Sequence, residues 1–122
     1  MPEPGANAGT ESVRVQAGGL NFGDVLTARG GYQGTPKPPL IADREFCGTR
    51  ERDGQRVMGY AQWSAFAEQF ASHPALLWTV PESGSAEEGA GFPVNYFTAY
   101  FAYWKAGLAE SQPSSGRPPR AC

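Results

Sequence analysis

One histidine and two cysteines in 122 residues leave little with which to hold a transition metal or run thiol chemistry. A closed four-ligand nitrogen–sulfur site for zinc cannot be assembled from His73, Cys47 and Cys122 without recruiting carboxylates. No Ser/His/Asp or Cys/His arrangement can be argued, because no spacing ties His73 to a nucleophile. His73 precedes Pro74 in a polar stretch and reads as a surface residue. The cysteines form no disulfide framework: Cys47 lies mid-chain and reads as buried packing, and Cys122 ends a polar tail. That usage points to a reducing, cytoplasmic setting. Charge of one sign is missing too. Ten basic against twelve acidic side chains give a net charge of −2 and a pI near 5.3, no electrostatic basis for nucleic acid or an anionic membrane as partner. No apolar run approaches the roughly 18 residues a membrane span needs. Neither end has the basic-then-apolar pattern of a secretory signal. Also absent is any Gly-x-Gly-x-x-Gly or P-loop spacing that would cradle a phosphate.

Glycine and proline, by contrast, are plentiful, at 16 and 11, which favours a turn-rich β architecture over a helical bundle. With 40% hydrophobic and 12% aromatic residues the chain can build the core of one domain. Residues 1–11 read as a loop. Ser12 to Ala17 alternates, Val13 and Val15 against Arg14 and Gln16, as a half-buried strand does. Asn21 to Arg29 carries Phe22, Val25 and Leu26 at helical spacing and stops at Gly30-Gly31. Tyr32 to Pro39 is a stiff loop containing Pro36, Pro38 and Pro39. Leu40 to Glu51 is ambiguous, its apolar residues interrupted by Asp43, Arg44 and Glu45. Gln55 to Tyr60 reads as a strand after a reversal at Asp53-Gly54. Trp63 to Ala71 fits strand or helix, with strand favoured, and Leu76 to Val80 is a short strand closed by Pro81. Ser85-Ala86-Glu87-Glu88 has the pattern of a helix capping box. Pro93 suits the first position of a second helix, Val94 to Leu108, on which Phe97, Phe101 and Trp104 recur three or four apart. Ser111 to Cys122 is Ser/Pro/Arg/Gly-rich and is expected to be disordered.

The order of these pieces resembles the quinone oxidoreductases (zeta-crystallin type) of the medium-chain dehydrogenase/reductase superfamily, to which vesicle amine transport protein 1 homologues are similar. The resemblance lies in Val13-Arg14-Val15-Gln16-Ala17 with Gly19-Leu20-Asn21-Phe22-Gly23-Asp24, then in Gly31-Tyr32 and its prolines. Glu45-Phe46-Cys47-Gly48-Thr49 looks like the family's GxExxG segment, and Gly54-Gln55-Arg56-Val57-Met58-Gly59 like its GDRVMG strand. Ala65-Phe66-Ala67-Glu68 resembles GAxAEY. Ala86-Glu87-Glu88 through Phe92-Pro93-Val94-Asn95-Tyr96-Phe97-Thr98-Ala99-Tyr100 resembles EEAAAxPVNYLTAY. The match runs from about Ser12 to Leu108. It departs from the family in having little before Ser12 and no additional strand between Arg50 and Gln55. Ser111 to Cys122 also stands where a strand and Gly-rich nucleotide turn would follow; read in a shifted frame, those codons permit that turn's small-residue and glycine pattern.

The resemblance implies a mainly β fold with a C-terminal helix pair: a partial GroES-like β-barrel over 12–110, its tail at 111–122, and no nucleotide-binding Rossmann domain. It implies a zinc-independent, NADPH-dependent lineage reducing quinones or enones, of which this chain is a fragment supplying the substrate-side wall and inactive alone. The zinc-dependent relatives have Cys near Asn21 and His before the glutamate matching Glu45, where this chain has Arg44. By the same resemblance Asn21 and Asp24 border the mouth of the cleft, Tyr32 borders the acceptor, and Thr98 lies near the nicotinamide. Asn21 and Asp24 equally suit capping the helix they begin, Tyr32 suits packing in its loop, and a mid-helix Thr98 suits bonding to its own preceding turn. The stripe Tyr96, Tyr100, Tyr103 and Trp104 reads as the core side of its helix plus a rim. In the family that helix sits at a domain junction, which implies self-association or pairing with a full-length relative as an interaction module. A truncated gene product without function of its own is the remaining reading.

Overall fold

The computed structural model describes residues 9–37 and 39–108. Five antiparallel strands form one sheet in the order β4-β1-β2-β3-β5: β1 Glu11–Gly18, β2 Glu45–Arg50, β3 Arg56–Tyr60, β4 Gln69–Ser72 and β5 Leu77–Thr79. Helix α1, Phe22–Ala28, follows β1, and α2, Ala86–Ala90, and α3, Pro93–Lys105, follow β5. The mainly β fold with its C-terminal helix pair is as the sequence implies. The loop expected over 1–11 already gives way to β1 at Glu11, and the tail at 111–122 lies outside the described residues.

The ambiguous stretch around Glu45 is the centre of the sheet. Glu45, Phe46, Cys47 and Gly48 are all buried, so a strand covered on both faces loses the alternation that betrays a half-buried one. Phe46 faces one cluster with Val13, Val57, Ala61 and Ala65, and Cys47 faces another with Val80 and Ala90 under α2. Full burial of Val13, Phe46 and Val57 contributes about 2 kcal/mol each. Cys47 is buried as expected, and burial pushes its thiol above the usual range.

Strands β2 and β3 join directly through a short reversal, as the missing additional strand implies. Gly54 takes a φ of 70° there, and its N–H donates to the Arg50 carbonyl at 2.8 Å. The Arg50 guanidinium gathers Asp53 at 2.6 Å and Glu11 at 3.2 Å. Hydrogen bonds from Arg50 hold the exposed Asp53 carboxyl down to about 2.

Three expectations need correction. Between Trp63 and Ala71 only residues 69–71 are strand. Ser64 has a φ of 75°, and the N–H groups of Ser64, Ala65 and Phe66 bond the carbonyls of Ile41, Asp43 and Ala42 instead of a ladder. Leu76 belongs to a 3-10 turn, Pro74–Leu76, for which exposed His73 accepts from Ala75 N–H through Nδ1 at 3.2 Å. The aromatic stripe is not the core side of α3. Tyr96, Tyr100, Tyr103 and Trp104 are 60%, 66%, 60% and 49% exposed. The helix is anchored by its first turn, where Phe97 packs edge-on against Trp78 of β5 at 4.6 Å and against Phe92. No helix among the described residues is long and apolar enough to cross a membrane.

Candidate functional site

The end of β1, the start of α1 and the start of β2 converge on one buried side chain. Glu45 is 1% exposed. Its Oε1 accepts from Asn21 Nδ2 and its Oε2 from Val94 N–H, both at 2.7 Å, while its carbonyl accepts from Gly19 N–H at 3.0 Å. One carboxylate therefore ties α1 and α3 to the central strand. Its neighbour Asp24, 3% exposed, accepts from Asn21 N–H through Oδ2 at 2.8 Å and leaves Oδ1 without a partner among the described residues. So Asp24 does cap α1, whereas the Asn21 amide reaches across to Glu45.

Asp43 is the third buried carboxylate, 1% exposed. Its Oδ1 accepts from Arg44 N–H at 2.6 Å and Glu45 N–H at 3.2 Å, and its Oδ2 has no partner among the described residues. Its φ of 85° is left-handed. That is reasonable for the register, because the first glycine of the GxExxG pattern falls at Asp43, and aspartate tolerates this region better than most side chains. Burial, with the Asp24 and Glu45 charges adding to it, raises the Asp43 carboxyl from 3.8 to about 6. A folded-state value above the unfolded one means stability that is present below pH 3.8 and lost as pH rises through about 6. The shift corresponds to about 3 kcal/mol. Asp43→Asn keeps the local acceptor and the tolerance for positive φ. It should be more stable than wild type by up to that amount at pH 7.5 and equal to it below pH 4, read as the difference between urea melts. An unchanged gap across that range would refute the assignment.

Arg44 points the other way, along α1. Its guanidinium lies 3.8 Å from the centre of the Tyr32 ring and 5.1 Å from that of Trp63, and Nη2 donates to the Thr27 hydroxyl at 3.3 Å. Gly23 leaves room for both, since a Cβ there would meet Arg44 Nη1 at 3.0 Å and Tyr32 at 3.3 Å. Tyr32 thus lies against α1 at Gly23, while Asn21 and Asp24 meet each other at the start of that helix. Tyr32 covers an arginine and is 38% exposed, not packed away in its loop. Thr98 stands apart: it is exposed on α3, shares no described contact with the other three, and its side chain makes no hydrogen bond among the described residues. Arg44 and Trp63 escaped the sequence reading, and Glu45 entered it only as part of a motif. The signal available for Glu45 was a carboxylate inside an apolar run.

Each helix N-terminus spends one or two of its N–H groups on the chain's own side chains: Asn21 N–H on Asp24, Ser85 and Glu88 N–H on each other's side chains, and Val94 N–H on Glu45.

Comparisons with known proteins set this geometry in a family. No family model matches the sequence. The chain is 35% identical over 109 residues to the Homo sapiens protein named synaptic vesicle membrane protein VAT-1 homolog-like, covering 82% of this chain and 26% of the relative. It is 36% identical over 105 residues to quinone oxidoreductase-like protein 2 of Mus musculus, covering 77% and 30%. Among solved structures, the quinone oxidoreductase of Thermus thermophilus, solved also in complex with NADPH, is 39% identical with a TM-score of 0.82, over 88% of this chain and 36% of that one. The chain spans between a quarter and a third of the length of the curated relatives it matches. Over the stretch they share, the chain is similar to quinone oxidoreductases of the medium-chain dehydrogenase/reductase superfamily, and its five-strand sheet with a C-terminal helix pair is consistent with part of a GroES-like domain.

Proposed function

We propose that residues 12–110 are the substrate-side wall of a quinone- or enone-reducing site, with Asn21, Asp24 and Tyr32 at its mouth and Thr98 on its nicotinamide side. The observation that carries this reading is the likeness to the Thermus thermophilus enzyme, 39% identical over 88% of this chain. The Asn21–Asp24 contact at the start of α1 and the position of Tyr32 beside Gly23 of the same helix support it. In such a site the cofactor supplies the hydride, and the polypeptide orients the acceptor and excludes water. With no phosphate-cradling motif in its sequence, this chain holds no NADPH by itself. Purified 122-residue protein mixed with NADPH and a quinone should therefore show no loss of NADPH absorbance above the protein-free rate. Saturable turnover would overturn that part of the proposal. A cytoplasmic location goes with the same reading.

The exposed α3 aromatics favour a second role, a non-catalytic module that pairs with a full-length relative. Co-purification with such a relative, lost in Tyr100→Ser/Trp104→Ser, is the expected result; a clean monomer in its presence counts against it.

A further inference from the structure

Arg44 is unusual among the described arginines in what surrounds it. Arg14, Arg50 and Arg52 pair with carboxylates, Arg56 donates to the Gly84 carbonyl and Arg29 is exposed, whereas half-buried Arg44 lies against two aromatic rings with no ion pair and one side-chain hydrogen bond, to Thr27. A guanidinium has five N–H donors in one plane. Stacking on Tyr32 at 3.8 Å occupies its flat face and leaves its edge available. The remaining donors find no acceptor among the described residues, and the group lies against Tyr32, Trp63 and the backbone at Gly23.

A donor edge between two aromatic rings suits a planar ligand that carries an oxygen acceptor. The surroundings also select the charge of that ligand. Asp43 and Glu45 flank Arg44 in sequence, Asp24 lies on the helix it covers, and all three carboxyl groups are buried. Their negative field opposes a full anion such as phosphate and admits a neutral carbonyl, whose oxygen carries only partial charge. We propose that Arg44 is an acceptor-binding residue, donating from its free edge to the carbonyl oxygen of a quinone or enone that packs against Tyr32 and Trp63. This rests on the substrate-wall reading above and assigns it a residue which that reading does not contain.

The test is calorimetric titration of the 122-residue chain with duroquinone, whose ring methyls hinder addition to thiols. Durene, the same ring without carbonyls, serves as a control, and NADP⁺ tests phosphate binding. Wild type should bind duroquinone more tightly than durene. Arg44→Met should lose about tenfold in duroquinone affinity with durene unchanged, and Arg44→Lys should lose less. A thermal melt shows whether each variant is folded. Equal losses for duroquinone and durene would mean that Arg44 only packs the rings, and the proposal falls. Unchanged duroquinone binding by a folded Arg44→Met removes the role of Arg44 and leaves the substrate-wall reading standing. A wild type that binds no duroquinone overturns both. Loss of NADP⁺ binding in place of duroquinone binding would overturn the carbonyl assignment.

Discussion

Gly48→Ala should leave almost no folded protein at 25 °C. A Cβ at this position would lie 2.1 Å from the Arg14 carbonyl oxygen and 2.8 Å from its carbonyl carbon. The obstacle is backbone of the neighbouring strand, so no side chain can rotate to relieve it. It also lies where β1 is least able to yield. Val15 pairs with Gly48 and Ala17 with Cys47, so two residues of β1 stand against one of β2, a bulge that brings the strands together. Strand β1 cannot retreat outward without breaking its ladder to β4 at Val13 and Arg14. Forcing a methyl into a well-packed core costs about 1–3 kcal/mol when side chains absorb it, and more where only backbone can move. A domain this small has about 5 kcal/mol to lose. Urea denaturation should show the loss directly. A midpoint within about 0.3 M of wild type, below about 1 kcal/mol at the slope usual for small proteins, would show that β1 can be displaced cheaply and that the bulge is soft.

Such a close approach is invisible in the sequence, where Gly48 is one glycine among 16. What was legible is what local patterning dictates. Val13 alternates with Arg14, and Val57 with Arg56, because β1 and β3 have one covered face. Ser85 and Glu88 close the end of α2 on each other as their spacing implies. Pro93 opens α3, although the helix stops at Lys105, short of Leu108. The central strand was opaque because Glu45, a charged residue, is more deeply buried than most of the apolar ones, and propensity scales place such residues at the surface. Trp63 to Ala71 misled for a different reason. Its N–H groups at 64–66 are taken by the loop before β2, a partner some twenty residues away. The site was partly legible. Resemblance singled out Asn21, Asp24 and Tyr32; in the structure Asn21 and Asp24 are bonded at the start of α1 and Tyr32 lies over Arg44. Arg44 looked like an interruption of an apolar run, because only the turn at Asp43 and the ring of Tyr32 show where it goes.

Glu45 allows the most discriminating set of substitutions. Both of its oxygens accept from N–H groups, one on Asn21 and one on Val94, in a place where water does not compete. Glu45→Ala would strand two donors and open a cavity under α1 and α3. Hydrogen bonds to a buried carboxylate are worth about 1.5–3 kcal/mol each, so the loss should be about 3–5 kcal/mol and α3 should detach first. Glu45→Gln has the same shape but only one acceptor oxygen. That oxygen can serve Val94 N–H, leaving the new NH₂ pointing at the Asn21 amide. An amide can be turned over, and Asn21 would then present its oxygen to the new donor. The expected cost is therefore below about 1.5 kcal/mol. Asn21→Asp tests the same contact from the other side. In wild type it sets two carboxylates against each other at hydrogen-bond distance, so it should destabilise strongly at neutral pH and recover in acid, where one shared proton restores the bond. Placed in the Glu45→Gln background, Asn21→Asp meets a donor and should cost little. The coupling in that double-mutant cycle should exceed about 2 kcal/mol. Additive losses would mean that Asn21 and Glu45 act independently, and that α1 and α3 are held to β2 by packing alone.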